Sequence, residues 1–291
     1  MKKLIPSLVL SVLCALCLCV SNQAIAESRF DQMITPVSNP STFEDPRPQS
    51  EVRALFMWHE IGDGFFTAGG DTQVYGVQLR LALNERLTFV VNRASLYDYN
   101  PNLFSRSGSG LSDLEFGVKY TFHMNEQAGT AAAWGLGWQI PSGNGEVFQG
   151  RGDGFLHPYV SGAIALDDYN VMGSTGFRVP FGNSDSTFWD ANLHVDTPMG
   201  DLYPLMELNL IQVVDDGNRI AIHGEGADLI SFGASDARGE TLLTSTIGAR
   251  YRLAPGMDFG LGYQVPLTTG EGSDFMKYRI TTDISFTLPS Y

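Results

Sequence analysis

The chain has 291 residues, a length compatible with one or two globular domains or with a single closed β-barrel. Its 32 acidic and 18 basic residues give a formal net charge of −14, which argues against a nucleic-acid partner. All three cysteines lie within the first 19 residues, at Cys14, Cys17 and Cys19. Disulfides, thiolate nucleophiles and cysteine-based metal sites are therefore excluded from the rest of the chain.

The first residues predict a cleaved signal peptide over residues 1–26. Lys2 and Lys3 precede an apolar run over 4–20, and the small-x-small pattern at 24–26 marks a cleavage site. A retained membrane anchor fits less well, because the apolar run is short for a spanning helix. The mature chain would begin at Glu27, and losing the two lysines without any acid would move its net charge from −14 to −16.

Residues 27–50 are rich in proline and are predicted to form a separate segment before the first strand. Four prolines over 36–48 are incompatible with a long membrane strand. We expect this segment on the periplasmic side, either as a disordered leader or as a plug for a barrel. As a plug, it would place Glu44, Asp45 and Arg47 near interior charges such as Arg80 or Asp113.

Most of the remaining sequence alternates between apolar and polar residues with a period of two. Over 75–83 the apolar positions are Tyr75, Val77, Leu79, Leu81 and Leu83, and small or polar residues fill the positions between them. This alternation is typical of β-strands that have one apolar and one polar face. The same pattern predicts twelve strands, at about 51–60, 74–83, 86–92, 113–122, 131–140, 156–166, 170–180, 187–197, 202–214, 241–252, 257–267 and 275–288.

The predicted connections alternate between short and long, as in outer-membrane barrels. Short turns are expected at 84–85, 123–128, 167–169, 198–201 and 254–256. Longer links are expected at 61–71, 96–110, 141–155, 215–240 and 268–274, with 181–186 short for an external loop. The even strand number places both termini on the periplasmic side. We therefore predict an all-β fold, in which residues 51–291 form an antiparallel transmembrane β-barrel of about twelve strands.

In such a barrel the apolar face meets lipid and the polar face lines the lumen. Aromatic residues would form girdles at the two interfaces: Trp58, Tyr75, Tyr120, Trp134, Trp138, Trp189, Tyr203, Tyr251, Tyr263 and Tyr278. The candidate pore-lining residues are Gln78, Arg80, Arg86, Asn92, Asp113, Glu115, Lys119, Gln139, Arg178, Asp190, Asn192, His194, Arg250, Lys277, Arg279 and Asp283. A soluble β-sandwich or lipocalin-like barrel is the alternative, but this small and charged face is a poor filling for a dry core.

The sequence contains little that indicates catalysis or metal binding. His194 shares a face with polar residues and has Ser174 and Ser161 as partners only by strand parity, which is weak support for an enzyme. The glycine-rich stretch 143–154 contains acidic residues and could bind Ca²⁺, but an acidic external loop is the simpler interpretation. We predict no catalytic residues, no metal site and no cofactor.

Three segments resemble the outer-membrane "transporter" barrels named for a phenol-degradation pathway: residues 111–120 (LSDLEFGVKY), 203–209 (YPLMELN) and 248–253 (GARYRL). These motifs mark strands and turns and contain no catalytic residue. The resemblance implies an outer-membrane barrel that passes small, often hydrophobic or aromatic, molecules.

The leading hypothesis is a non-enzymatic channel for passive movement of a small solute across the bacterial outer membrane. The alternative is a structural or surface-interaction barrel with a sealed lumen, whose loop Asp215–Glu240 contacts a partner. A barrel enzyme is the least favoured interpretation. The expected partners are outer-membrane lipids, the barrel-assembly machinery and a small solute, with no nucleic acid.

Overall fold

The computed structural model describes residues 28–103 and 106–288, so the predicted signal peptide lies outside the described residues. Fourteen strand segments account for most of the described chain. They are β1 (Ser50–Ile61), β2 (Gly70–Ala82), β3 (Leu87–Arg93), β4 (Ser95–Pro101), β5 (Gly108–Leu111), β6 (Leu114–Asn125), β7 (Thr130–Ile140), β8 (Phe155–Ala165), β9 (Asn170–Pro180), β10 (Thr187–Asp196), β11 (Leu202–Asp215), β12 (Thr241–Ala254), β13 (Met257–Pro266) and β14 (Tyr278–Leu288).

These segments form one antiparallel sheet that closes on itself. Strand β1 pairs with β14 on one side and with β2 on the other, so the sheet has no free edge there. Segments β3 and β4 are two halves of one barrel strand, and both pair with β2. Segments β5 and β6 are likewise the two halves of the next barrel strand, since β5 pairs with β4 and β6 with β3. The result is the predicted closed barrel of twelve antiparallel strands.

The link expected over 96–110 is much shorter than predicted. Residues Ser95–Pro101 and Gly108–Leu111 continue the barrel wall as β4 and β5, which leaves only 102–107 between them. The sequence pattern failed here because both barrel strands are interrupted, at Ala94 and at 112–113, so the period of two is broken. The other strands lie within a few residues of their predicted bounds.

Short and long connections lie at opposite ends of the barrel, as predicted. The short-turn end contains 83–86, 126–129, 166–169, 197–201 and 255–256. The long-loop end contains 62–69, 102–107, 141–154, 181–186, 216–240 and 267–277. Since β1 begins and β14 finishes at the short-turn end, the chain before Ser50 approaches the barrel from that side.

The two faces of the wall have opposite chemistry. Apolar side chains such as Val77, Leu136 and Ile247 are exposed on the outer face. The largest fully buried side chains include Arg80 and Lys119, which point inward. A soluble barrel would have the reverse arrangement, so the outer surface suits contact with hydrocarbon.

Helical structure in the described residues is limited to three short 3-10 turns, at Arg29–Gln32, Gly145–Val147 and Glu271–Ser273. No described helix is long and apolar enough to cross a membrane.

Candidate functional site

The barrel interior is where the predicted pore-lining residues meet. Fourteen of the sixteen are buried inside the barrel: Gln78, Arg80, Asn92, Asp113, Glu115, Lys119, Gln139, Arg178, Asp190, Asn192, His194, Arg250, Arg279 and Asp283. The other two do not line the interior. Arg86 is exposed in a short turn, and Lys277 is exposed at the long-loop end, where its Nζ lies 3.8 Å from the Asp63 carboxylate.

The chain that precedes β1, which we call the N-terminal segment (residues 28–49), lies inside the barrel. It begins beside the turn 166–169, where Arg29 pairs with the exposed Asp167. Residues 33–47 are buried throughout. The segment reverses direction at Asn39, whose carbonyl accepts hydrogen bonds from the backbone N–H groups of Thr42 and Phe43. It then returns to the short-turn end to start β1, so it forms a finger with its tip inside the barrel.

Glu207 on β11 holds one side of this finger. Its carboxylate accepts hydrogen bonds from the backbone N–H groups of Val37 and Ser38, at 2.8 and 2.7 Å. On the neighbouring strand, Arg250 Nε donates to the carbonyl of Thr35 at 2.6 Å. These bonds satisfy backbone groups that would otherwise be buried without a partner.

Glu44 holds the other side of the finger. Its carboxylate binds Arg80 Nη2 at 2.7 Å and Lys119 Nζ at 2.9 Å, and Arg80 also binds Glu51 at 2.9 Å. Burial of Glu44 opposes its ionisation, but the positive charges of Arg80 and Lys119 outweigh that effect and lower its pKa to about 2. Glu44 is thus charged throughout the physiological range.

The remaining charges of the segment are satisfied locally. Arg47 forms an ion pair with Asp45 and donates to the carbonyls of Phe30 and Met33, at 2.8 and 3.1 Å. Asp113 does not pair with the N-terminal segment. Its carboxylate instead accepts hydrogen bonds from backbone N–H groups of the link 141–154.

Small apolar clusters complete the contact between the segment and the wall. Met33 and Phe43 pack against β8 and β9, and Ile34 and Val37 pack against Tyr203 and its neighbours on β11. Tyr203 is therefore buried in the interior, and its predicted place in an outer aromatic girdle was wrong. The other nine predicted girdle residues are partly or fully exposed.

The connection 216–240, which we call the inward loop, enters the barrel from the long-loop end. Its residues Ala227, Leu229, Ile230 and Phe232 are buried in the largest apolar cluster of the protein. The tip of this loop therefore faces the lumen and is unavailable to an external partner.

The two inserted parts meet at Arg279 on β14. Arg279 makes a two-point ion pair with Asp228 of the inward loop, at 2.7 and 2.9 Å, and its Nη1 also donates to the Asn39 side chain at 3.3 Å. A cavity of only about 20 Å³ remains between them, lined in part by Pro40, Ser41 and Leu229. That space holds about one water molecule.

His194 and Ser174, two of the side chains considered for catalysis, are engaged in structural contacts, whereas the Ser161 hydroxyl is buried without a hydrogen-bond partner among the described residues. His194 Nδ1 lies 2.7 Å from Glu207 and Nε2 lies 3.0 Å from Asp196, so both ring nitrogens have carboxylate partners. Ser174 instead accepts a hydrogen bond from Asn192. Among the described residues no group of three or more histidine, cysteine, aspartate or glutamate side chains could hold a metal ion.

Several interior residues were missed by the sequence pattern. Arg93 is one of them: it is buried directly after the predicted Asn92, because the register between β3 and β6 shifts at this point. A bulge of this kind places two consecutive residues on the inner face, which a strict period of two does not predict. Arg53 and Glu207 follow the parity of their strands and could have been found from it.

Comparison with solved structures supports the architecture. An outer membrane channel from Pseudomonas putida F1 superposes with a TM-score of 0.62 at 11% identity, over 88% of this chain and 100% of that chain. The KdgM porin matches less well, with a TM-score of 0.48, 10% identity, and coverage of 81% and 99%. Neither a protein-family model nor a curated protein matches the chain. The superposition on the Pseudomonas putida channel shows that the chain has the fold of an outer-membrane β-barrel.

Proposed function

We propose that this protein is an outer-membrane channel for small solutes, closed at rest by the N-terminal segment and the inward loop. The observation that carries the proposal is the polar inner face of the barrel wall, which the N-terminal segment and the inward loop cover. A closed barrel lined by arginine, lysine and carboxylate side chains is suited to water and ions, because isolated buried charges are costly. Here a folded-in chain replaces the water.

The way the N-terminal segment is held favours a closure that can move. Among the described residues it joins the barrel covalently only at Ser50, and many of its contacts are hydrogen bonds and ion pairs to Glu207, Arg250, Arg80 and Lys119. Water can replace polar contacts of this kind at a smaller cost than exposure of an apolar core. The segment can thus leave through the short-turn end without unfolding the wall.

A twelve-stranded wall is wide enough for this role. Barrels of eight strands are filled by their own side chains, whereas barrels of about sixteen strands leave a water channel. Twelve strands lie between these limits, and here an additional stretch of chain fills the space. The solutes are small, and the resemblance found in the sequence favours hydrophobic or aromatic ones.

The filled interior also favours the second candidate, a structural barrel that stays sealed. In that case the two inserted parts would be permanent, like the core of a soluble protein. The two candidates differ in one measurable respect, which is whether the unaltered protein opens to the conductance of a variant that lacks both inserted parts.

Planar-bilayer recordings on four proteins test the proposal. They are the unaltered mature protein, a deletion of residues 27–49 behind the signal peptide, a loop excision and the combination of both changes. The excision removes residues 221–234 and joins Ile220 to Ser235 through two glycines, because the carbonyl of Ile220 already lies 3.0 Å from the N–H of Ser235. The two closures lie in series, so each single removal should leave a low conductance.

The combined variant should conduct far more than the sum of the two single variants. Each protein must first show heat-modifiable migration in gels, which reports a closed barrel. A folded combined variant that does not conduct, or an unaltered protein that never opens to the conductance of the combined variant, would support the sealed structural barrel instead.

A further inference from the structure

Three arginines from separate barrel strands converge on the tip of the inward loop. Arg93 extends from β3, Arg178 from β9 and Arg279 from β14, and all three are buried. Each of them donates hydrogen bonds to the tripeptide 227–229.

The contacts at the tip resemble the binding of a carboxylate ligand. Arg279 holds the Asp228 carboxylate through two parallel bonds, with Nη2 to Oδ1 at 2.7 Å and Nη1 to Oδ2 at 2.9 Å. This two-point geometry is the usual way in which arginine recognises carboxylates. Arg93 donates to the carbonyl of Asp228, and Arg178 donates to the carbonyl of Ala227 at 2.9 Å.

One of these arginines is incompletely satisfied. Nε and Nη2 of Arg178 are buried without a hydrogen-bond partner among the described residues. The nearby acid Asp190 is engaged by His157, whose Nε2 lies 3.1 Å away, and by Asn192. A buried donor without a partner carries a desolvation cost that an acceptor on a bound molecule would remove.

Apolar side chains also lie beside the three arginines. The Arg178 guanidinium lies 4.2 Å from the centre of the Phe188 ring, in a cation–π contact. Tyr97, Leu55 and Met57 belong to the same cluster, which also contains the apolar tip residues 227, 229 and 230. The loop tip thus consists of one carboxylate on an apolar body. The wall binds the carboxylate through Arg279 and packs against the apolar body.

We infer that Arg93, Arg178 and Arg279 form a binding site for a small organic carboxylate with an apolar or aromatic body, which Asp228 occupies while the loop is folded inward. A solute of this class competes with Asp228 for Arg279 and supplies acceptors for Arg178. Its binding favours the outward position of the loop, because ligand and loop tip cannot share the arginines. The inference rests on the proposed channel for its biological role.

Calorimetric titration of the detergent-solubilised protein with benzoate tests the site directly. Asp228→Ala should bind benzoate at least about tenfold more tightly than the unaltered protein, because the competing carboxylate is covalently tethered and present at a high effective concentration. Asp236→Asn is the matched control, since Asp236 lies on the same loop, is exposed and pairs only with the exposed His223 among the described residues. It should bind benzoate as the unaltered protein does.

Further titrations separate the contribution of the ligand's carboxylate from that of its apolar body. Adding Arg178→Gln to Asp228→Ala should abolish the gain in benzoate affinity. Uncharged benzamide should bind all variants with the same affinity. Acetate should bind more weakly than benzoate, because it lacks the apolar body. The loop-excised protein, which has no tip, is the second variant and should also bind benzoate more tightly than the unaltered protein.

Equal benzoate affinity in the unaltered, Asp228→Ala and loop-excised proteins would overturn the site, as would equal affinity for benzamide and benzoate. Equal affinity for acetate and benzoate would overturn the apolar part of the inference. The titration does not depend on conductance. Tight benzoate binding by a non-conducting combined variant would refute the channel and leave the site, whereas conductance without benzoate binding would refute the site alone.

Discussion

Arginine side chains make many of the polar contacts inside the barrel. Arg53 and Arg250 share the carboxylate of Asp283, and Arg80 bridges Glu44 and Glu51. Removing one member of such a group leaves an uncompensated buried charge, which costs far more than an exposed ion pair contributes. The interior therefore tolerates substitution less well than a water-filled pore would.

On the outer face the expected cost of a charge depends on depth. Leu136 lies near the middle of β7 and is exposed, whereas Leu83 is exposed at the short-turn end. Leu136→Arg should reduce the free energy of unfolding in lipid by roughly 2–4 kcal/mol, and Leu83→Arg by only about 0–1 kcal/mol. Urea titration of the two variants in vesicles measures the difference. Equal losses would show that the outer face does not meet hydrocarbon.

At the scale of elements, strand alternation could be read from the sequence because each wall residue has one of two environments. The bulge beside Arg93 and the interruptions that separate β3 from β4 and β5 from β6 could not, because they depend on pairing with neighbouring strands. Glycines on the inner face belong to the small and charged side of the wall. They also provide space: a side chain at Gly135 would collide with the Tyr159 ring, and one at Gly262 would touch Val37 of the N-terminal segment.

The N-terminal segment had two possible interpretations from its composition, as a disordered leader or as a plug. Prolines exclude a strand but do not say where the segment lies. The suggested pairing of Glu44 with Arg80 is present, whereas Asp45 pairs with Arg47 of the same segment. Long-range complementarity of this kind becomes visible only when the wall is closed.

Loss of the Glu44 charge should loosen this segment. A reporter cysteine at Ser41, which is buried near the tip, can be labelled with a maleimide because residues 27–291 contain no other cysteine. Glu44→Gln should raise its labelling rate by about tenfold or more, since breaking a buried ion pair costs about 3–5 kcal/mol. A cysteine at the exposed Asn84 is the control and should label at the same rate in both backgrounds.

The pH dependence of this docking follows from the lowered pKa of Glu44. A carboxyl whose pKa falls to about 2 on folding contributes its stabilisation above its usual pKa and loses it as the pH falls through about 2. Labelling of the Ser41 cysteine, divided by that of the Asn84 cysteine, should therefore be the same at pH 8 and pH 5. An increase at pH 5 would contradict the assigned role of Glu44.

At the scale of the whole molecule, the sequence predicts the barrel well and its filling poorly. Closure follows from twelve alternating strands whose apolar face meets lipid, since an open sheet cannot exist in lipid. The alternation of short turns and long loops also shows that the chain before β1 enters from the short-turn end of the barrel. The filling involves residues far apart in sequence, such as Asn39 and Arg279, and no local pattern records such contacts.

The N-terminal segment lies within the barrel, where Val37 and Asn39 contact β13, and disulfide cross-linking tests this position directly. A Cβ atom at Gly262 would lie 3.8 Å from Cβ of Val37, a separation that suits a disulfide. Thr246→Ser makes room for the new side chain, because the Thr246 methyl would lie 2.9 Å from it.

The folded protein carrying Val37→Cys, Gly262→Cys and Thr246→Ser should form this disulfide almost completely on mild oxidation, measured as loss of maleimide-reactive thiols. The control pairs Val37→Cys with Ala133→Cys, whose inward position lies on β7, across the barrel from β13. Its two thiols should stay free. Two free thiols in the Val37–Gly262 pair of a heat-modifiable protein, or equal cross-linking of both pairs, would show that the N-terminal segment does not lie against β13.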